Sequence, residues 1–244
     1  MPKRFVYDRN MDVEPSFAVI GHLIGVPARA NMLSALLDGR ALTATELAFH
    51  AGVTPQTASS HLAKLTDAKL IVAEQQGRHR YYRLAGPAVA DALEPLSGLV
   101  AHRPLPQRHP TKELKRLRDS RLCYDHLAGR LGVAVADALI GREAIVPEGR
   151  DFRVTASGQR LLSEIGVDLE AVRAKRRVFA RRCIDWSERR PHLGGALGAA
   201  VAEQLLKRKW IARERQGRRI WVTKSGRPAL AERFPEIELD APPG

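Results

Sequence analysis

Apolar positions between residues 43 and 84 follow two different periods. Ala58, Leu62, Leu65 and Leu70 recur at about the 3.6-residue spacing of a helix with one buried face. The run Ile71 to Leu84, IVAEQQGRHRYYRL, instead alternates around Gly77, as a hairpin does. Upstream, Thr43 and Thr45 are cap-type residues, and Glu46 stands three after Thr43, the arrangement of a capping box. Leu47 and Ala48 supply an inward face, Gly52 suits the left-handed position that ends a helix, and Thr54 followed by Pro55 opens the next one. The pattern predicts a short helix, a tight turn at 52–54, a second helix from Pro55 to Lys69 and a basic hairpin. Around this core, residues 16–38 read as two apolar helices broken at Pro27 and ended by Gly39. Residues 86–101 read as a further helix with a stripe of Val89, Leu93, Leu96 and Val100.

Helix, turn, helix and hairpin in that order make a winged helix-turn-helix, which lays its second helix in the DNA major groove. The outward face of that helix would show Gln56, Thr57, Ser59, Ser60, His61 and Lys64, starting from Pro55 at its first position. These are short donors and acceptors with one cation, suited to base edges and phosphate oxygens. Arg78, His79 and Arg80 lie at the hairpin tip, where cations reach a flanking backbone or the minor groove. Each local signal taken alone is also met in ordinary scaffolds and solvated helix faces. Their agreement in sequence order is what points to DNA.

The stretch VTPQTASSHLAKLTDAKLIVAEQQGRHRYYRL resembles the DNA-binding core of the ArsR/SmtB regulators, over roughly residues 16–100. The resemblance implies a homodimeric winged-helix repressor that leaves its operator when an effector or a redox change arrives. It maps the recognition helix onto Pro55–Lys69 and the wing onto Ile71–Leu84. Metal-sensing members carry a Cys-x-Cys pair in the helix before the turn. Here that helix reads ELAFHAG and holds no thiol, so that site is absent.

The 244 residues are enough for two domains, and 44% hydrophobic content is enough for real cores. The net charge of +13 favours a polyanionic partner. It is unevenly spread: ten Lys and Arg face nine Asp and Glu in residues 1–100, and thirty face eighteen in residues 101–244. The second half is therefore expected to add phosphate attraction. No run approaches the roughly 18 apolar residues of a membrane span. The polar start MPKRFVYDRNMD has no signal core, and two cysteines make no disulfide framework and no finger-type zinc spacing. A cytoplasmic location without membrane contact is the expectation.

Residues 102–110, HRPLPQRHP, read as a linker. Beyond it lies a weak internal repeat. Both copies open with Cys-x-Asp, at Cys123 and Cys183. Both contain His-Leu-x-Gly-x-Leu-Gly, at His126–Gly132 and His192–Gly198, and both reach Thr-x-Ser-Gly, at Thr155–Gly158 and Thr223–Gly226. Each copy reads as a helical pair, a hairpin and a helix begun at the Thr. WIARERQGRRIWVT, with Arg213, Arg215, Arg218 and Arg219 around Gly217, reads as a second wing, and RAKRRVFARRCIDWSERR as a basic helix. Cys123, Asp125 and His126 are mirrored by Cys183, Asp185 and His192. On a helix Cys123 and His126 would share a face. Thiolate and imidazole are zinc-type ligands, yet buried thiols are often only small hydrophobes. A helix-packing motif lining an effector pocket, with Tyr124, Trp186, His126 and His192 as its polar and aromatic groups, is the preferred reading. A metal or redox role for Cys123 and Cys183 is the alternative.

The expected fold is mainly α with small β-hairpin wings. A winged helix-turn-helix domain over 1–101 would be joined by a linker over 102–110 to a basic domain over 111–244. The latter would hold two degenerate winged-helix-like repeats, at about 119–166 and 176–235. The expected function is a sequence-specific, DNA-binding transcriptional regulator, a dimeric repressor released by an effector, with no resident cofactor. A nucleoid-type non-specific DNA binder is the rival. Catalysis is not expected, because there is no GxSxG, no P-loop and no dinucleotide fingerprint; Gly194, Gly195 and Gly198 resemble a Gly-rich loop, but no strand is expected before them.

Overall fold

A computed structural model describes residues 17–77, 79–100, 112–215, 217–235 and 237. Its first part comprises helices α1 (Phe17–Ile24) and α2 (Pro27–Leu36), strand β1 (Leu42–Thr43), helices α3 (Ala44–Ala51) and α4 (Pro55–Asp67), strands β2 (Ile71–Gln76) and β3 (His79–Leu84), and α5 (Pro87–Val100). The second part runs α6 (Lys112–Asp119), β4 (Arg121–Cys123), β5 (His126–Ala128), α7 (Gly129–Gly141), β6 (Ile145–Glu148), β7 (Asp151–Val154), α8 (Ala156–Glu164) and α9 (Leu169–Arg173). It continues with β8 (Arg181–Ile184), β9 (Pro191–Gly194), α10 (Gly195–Lys207), β10 (Ile211–Arg213), β11 (Ile220–Val222) and α11 (Gly226–Arg233).

The local signals in the first part operate as their chemistry dictates. The Thr43 hydroxyl accepts from the Glu46 N–H while the Glu46 carboxylate accepts from the Thr43 N–H, closing the capping box at the start of α3. Gly52 ends that helix at φ 65°, a left-handed conformation that costs glycine little. Thr54 caps α4 by accepting from Thr57 N–H at 3.2 Å. Ala58, Leu62 and Leu65 are fully buried and meet Met32, Leu36, Leu47, Ile71 and Leu84 in one apolar cluster. The sheet order β1-β3-β2, antiparallel throughout, ties the wing back to the start of α3.

In the second part each repeat is a hairpin, a helix, a second hairpin and a helix. That differs from the expected helical pair: both Cys-x-Asp segments lie in hairpins, not on helices. The hairpins follow from the glycines after them. Gly129 and Gly195 turn strand into helix at φ 74° and 75°, and a Cβ on either would stand less than 3 Å from a backbone oxygen. The strand expected to be missing before Gly195 is β9. The stretch 173–190 is not a basic helix either. α9 ends at Arg173, and the Val178 and Phe179 carbonyls accept the N–H groups of Ala196 and Leu197 at the start of α10, whereas a continuous helix over 173–190 would use them on residues 182 and 183.

The two repeats exchange strands. The wing β6–β7 of the first pairs through Asp151 with Arg181 of β8, giving the sheet β6-β7-β8-β9. Reciprocally, Arg121 of β4 bridges Arg219 beside β11 of the second wing, and Leu122 N–H donates to Arg218 O at 2.8 Å. One apolar cluster spans both repeats, from Leu122 and Leu127 to Trp210, Ile220 and Phe234, separate from that of the first part. The expected linker 102–110 lies outside the described residues.

Candidate nucleic-acid interface

α4 presents Pro55, Gln56, Thr57, Ser59, Ser60 and Lys64 to solvent along the side opposite its buried stripe. The six differ in how committed they are. The Ser59 hydroxyl donates to Pro55 O at 3.0 Å, and Thr57 and Thr54 share a hydroxyl contact at 2.9 Å. Gln56, Ser60 and Lys64 have no hydrogen bond from their side chains to a described residue, so their polar groups face outward unspent. His61 departs from the expected outward face. It is half-buried, its Nδ1 is enclosed without a partner, and burial followed by the charges of Arg29 and Lys64 lowers its pKa. Both effects disfavour a charge on it, so it is a poorer cation for phosphate than its place on the helix suggested.

Gly77 turns the wing at φ 58°. His79 and Arg80 are exposed beside it, with the Arg80 guanidinium 5.6 Å from the Tyr82 ring centre, a cation–π contact that fixes its direction. Arg83 pairs across the strands with Glu74 at 2.5 Å. Arg78 lies outside the described residues. The second wing is arranged differently. Arg213 donates to Asp38 O, Arg218 pairs with Glu94 on α5, and Arg219 lies 3.7 Å from Glu214. Arg213 and Arg218 are therefore turned on the first part of the chain, while Arg219 is paired within the wing.

Of the residues considered for an effector, four converge. Cys123 pairs with His126 across the β4–β5 hairpin, and Cys183 pairs with His192 across β8–β9. The ligand atoms of these four side chains all lie within 4.8 Å of one another. Sequence spacing hid this: sixty residues separate the cysteines, and the fold returns the second hairpin onto the first. The sulfurs are 3.9 Å apart and the two imidazole Nε2 atoms 3.2 Å apart. Tyr124 and Trp186 do not join them. Tyr124 packs against the core of the first part, and the Trp186 ring lies 4.4 Å from the Arg121 guanidinium.

The electrostatics of the cluster are asymmetric. Burial opposes a charge on His126, but its hydrogen bonds to Asp125 and Cys183 win and raise its pKa to about 9. The hydrogen bond from Cys123, with those from His126 and His192, overcomes burial and holds the Cys183 thiol far below its usual range; Cys123 moves the opposite way, through the same bond and its burial. Beneath the cluster lies an ion pair that sequence reading missed: Arg121 and Asp185 meet at 2.8 Å, and neither is more than 1% exposed. No periodicity marks Arg121, because a buried arginine inside a three-residue strand leaves no pattern.

A helix-turn-helix domain family matches residues 25–73. The HTH-type transcriptional regulator YdfF of Bacillus subtilis is 43% identical over 218 residues, 89% of this chain and 96% of its own length. The HTH-type transcriptional regulator CmtR of Mycobacterium tuberculosis is 38% identical over 87 residues, 36% of this chain and 73% of its own. The solution structure of the cadmium metal-sensor CmtR from that organism is 35% identical, covering 39% of this chain and 98% of that one with a TM-score of 0.31. With the motif of residues 54–84 in place as α4 and its wing, the chain belongs to the family of DNA-binding HTH-type transcriptional regulators, with a winged helix-turn-helix reading head.

Proposed function

We propose that this regulator is a dimeric, sequence-specific repressor whose hold on its operator is relieved by an effector acting on the C-terminal repeats. The observation that carries the reading is the exposed face of α4, where Gln56, Ser60 and Lys64 keep their polar groups unspent beside the His79–Arg80 wing tip. Gln56, Thr57 and Ser60 would read base edges, Lys64 and the wing would hold phosphates, and Pro55 and Ser59 would set the helix start. Dimerisation is supported by α1, which has no buried residue: Phe17 is 90% exposed and Val19 47%. Phe17 and Val19 offer an exposed apolar face of the kind a second protomer covers.

The reading assigns DNA binding and dimerisation to residues 1–101 and effector response to 111–244. Contacts between the two carry the response. Tyr124 N–H, at the tip of the β4–β5 hairpin, donates to Leu37 O at 3.0 Å, and Arg218 grips Glu94. An effector that repositions the hairpin would shift the end of α2, on which α4 packs, and alter the spacing of the two recognition helices. Such coupling is worth about 1–3 kcal/mol. A cytoplasmic location accords with this role; among the described residues no single helix is long and apolar enough to cross a membrane.

The test is competition by random-sequence DNA at rising salt. A repressor keeps its preference for a twofold site as affinity falls; the rival non-specific binder loses specific and random DNA together.

A further inference from the structure

We propose that Cys123, His126, Cys183 and His192 form a tetrahedral site for a thiophilic, filled-shell metal ion, Zn²⁺ in the first instance, that clasps the two C-terminal repeats together. As the identity of the effector this rests on the repressor reading; as a binding site it stands on its own geometry.

With zinc–sulfur bonds near 2.3 Å and zinc–nitrogen bonds near 2.05 Å, a tetrahedron has an S–S edge of about 3.8 Å and an N–N edge of about 3.3 Å. The side chains here stand at 3.9 Å and 3.2 Å. Both imidazoles turn Nε2 toward the same point as the two sulfurs, with ring planes 27° apart. A disulfide between the cysteines would need neither ring, and two aimed Nε2 atoms would then have no shared partner but each other.

Metal-binding histidines commonly direct their other ring nitrogen to a carboxylate, which fixes tautomer and orientation. His126 Nδ1 is 3.2 Å from Asp125 Oδ1, and Asp125 is itself held by Arg177 at 2.5 Å. His192 Nδ1 is buried without a hydrogen-bond partner and stands 3.9 Å from Asp185 Oδ2, beyond hydrogen-bond reach. The Cys-x-Asp spacing therefore supplies one thiol ligand from each repeat, and an outer carboxylate from the first alone, because Asp185 is engaged by Arg121, Gly129, Ser187 and Glu188. Gly194 leaves the space: a Cβ there would stand 3.1 Å from His126 Nε2 and 3.2 Å from the Cys183 Cβ. The first repeat has Ala128 at the matching place, so the glycine is specific to the side on which His126 enters.

Four protein ligands with no open position describe a closed site, which binds and does not catalyse. Its place matters for regulation. Cys123 is followed by Tyr124, whose backbone holds the end of α2, so the ion would fix the hairpin that touches the DNA-binding part.

The test uses the full chain, reduced and stripped with a chelator, then titrated with Zn²⁺ against a chromogenic competitor. One ion per chain is expected. Co²⁺ in its place should give the intense visible bands of tetrahedral coordination with thiolate-to-metal charge transfer. H192Q and C183S should abolish both. D125N, which removes only a positioning carboxylate, should keep the tetrahedral spectrum and weaken affinity roughly 10–100-fold. Failure to retain Zn²⁺, a weak octahedral Co²⁺ spectrum, or full stoichiometry in a folded H192Q or C183S protein overturns the proposal. Loss of both free thiols as a disulfide under reducing conditions that spare exposed thiols also overturns it. If the ligand variants do not fold, the Co²⁺ spectrum of the unaltered chain decides. Metal content is read without DNA, so a negative result leaves the repressor reading standing.

Discussion

A carboxylate taken out of water survives only if its lone pairs are used, and Asp185 uses them on five donors. Oδ2 accepts from Arg121 Nη2 and from Gly129 N–H; Oδ1 accepts from Ser187 N–H and Oγ and from Glu188 N–H. Burial works against its charge, but Arg121 and these donors prevail and hold its pKa well below the carboxylate range. Removing it strands the Arg121 guanidinium in the interior. Asp185→Ala should therefore cost about 3–5 kcal/mol, read as a fall in the denaturant midpoint; a loss under about 1 kcal/mol would show that the pair is solvated in solution. On the DNA side, Lys64→Ala should weaken binding to all sequences alike and reduce the salt slope by about one per protomer, as measured by titration at several salt concentrations. A changed base preference with an unchanged slope would put Lys64 against bases instead. The reading-face residues other than His61 were legible because exposure follows from helical period. His61 was not, because it sits half-buried on the boundary between faces, where helical period alone does not decide burial. Trp186 was misread for another reason: aromatic residues suggest a pocket, and no sequence rule foretells that a distant Arg121 will occupy the ring.

At the scale of elements, Thr54 is a simple test of how far local chemistry sets the recognition helix. Its hydroxyl satisfies one of the orphan N–H groups at the start of α4. Thr54→Ala should cost about 1 kcal/mol, seen as a lower thermal midpoint by circular dichroism, whereas Thr54→Ser should cost much less. Equal losses in the two would show that the methyl group's packing and not the cap matters. Elements in the first part were legible because caps, period and turn residues agreed at each step. The repeats were harder. Cys-Tyr-Asp-His suits a helix by spacing, but Tyr124 takes φ 59°, a conformation uncommon outside glycine, and reverses the chain there. The second hairpin turns through Arg189 at φ 57°, again without a glycine to announce it. The reciprocal pairing of each wing with the other repeat's hairpin is a tertiary property, as is the packing of β5 against β9 that unites thiols sixty residues apart.

For the whole molecule, charge and apolar exposure divide the labour. The surplus of cations lies beyond residue 101, yet several on the second wing are spent on Asp38, Glu94 and Glu214, so net charge overstates what is offered to phosphate. The apolar surface of α1 is the counterpart. Phe17→Glu should shift the protein from dimer to monomer in analytical ultracentrifugation and weaken operator binding more than any single phosphate contact does; an unchanged mass would place the dimer contact elsewhere. The central claim is that α4 reads bases twice, through a twofold axis. Hydroxyl-radical footprinting of the full chain on the DNA upstream of its own gene, with random-sequence competitor present, tests it most directly. The account predicts two inverted protected half-sites centred about one helical turn apart, roughly 10–10.5 base pairs. Protection that shows no register and disappears in step with total competitor would contradict it.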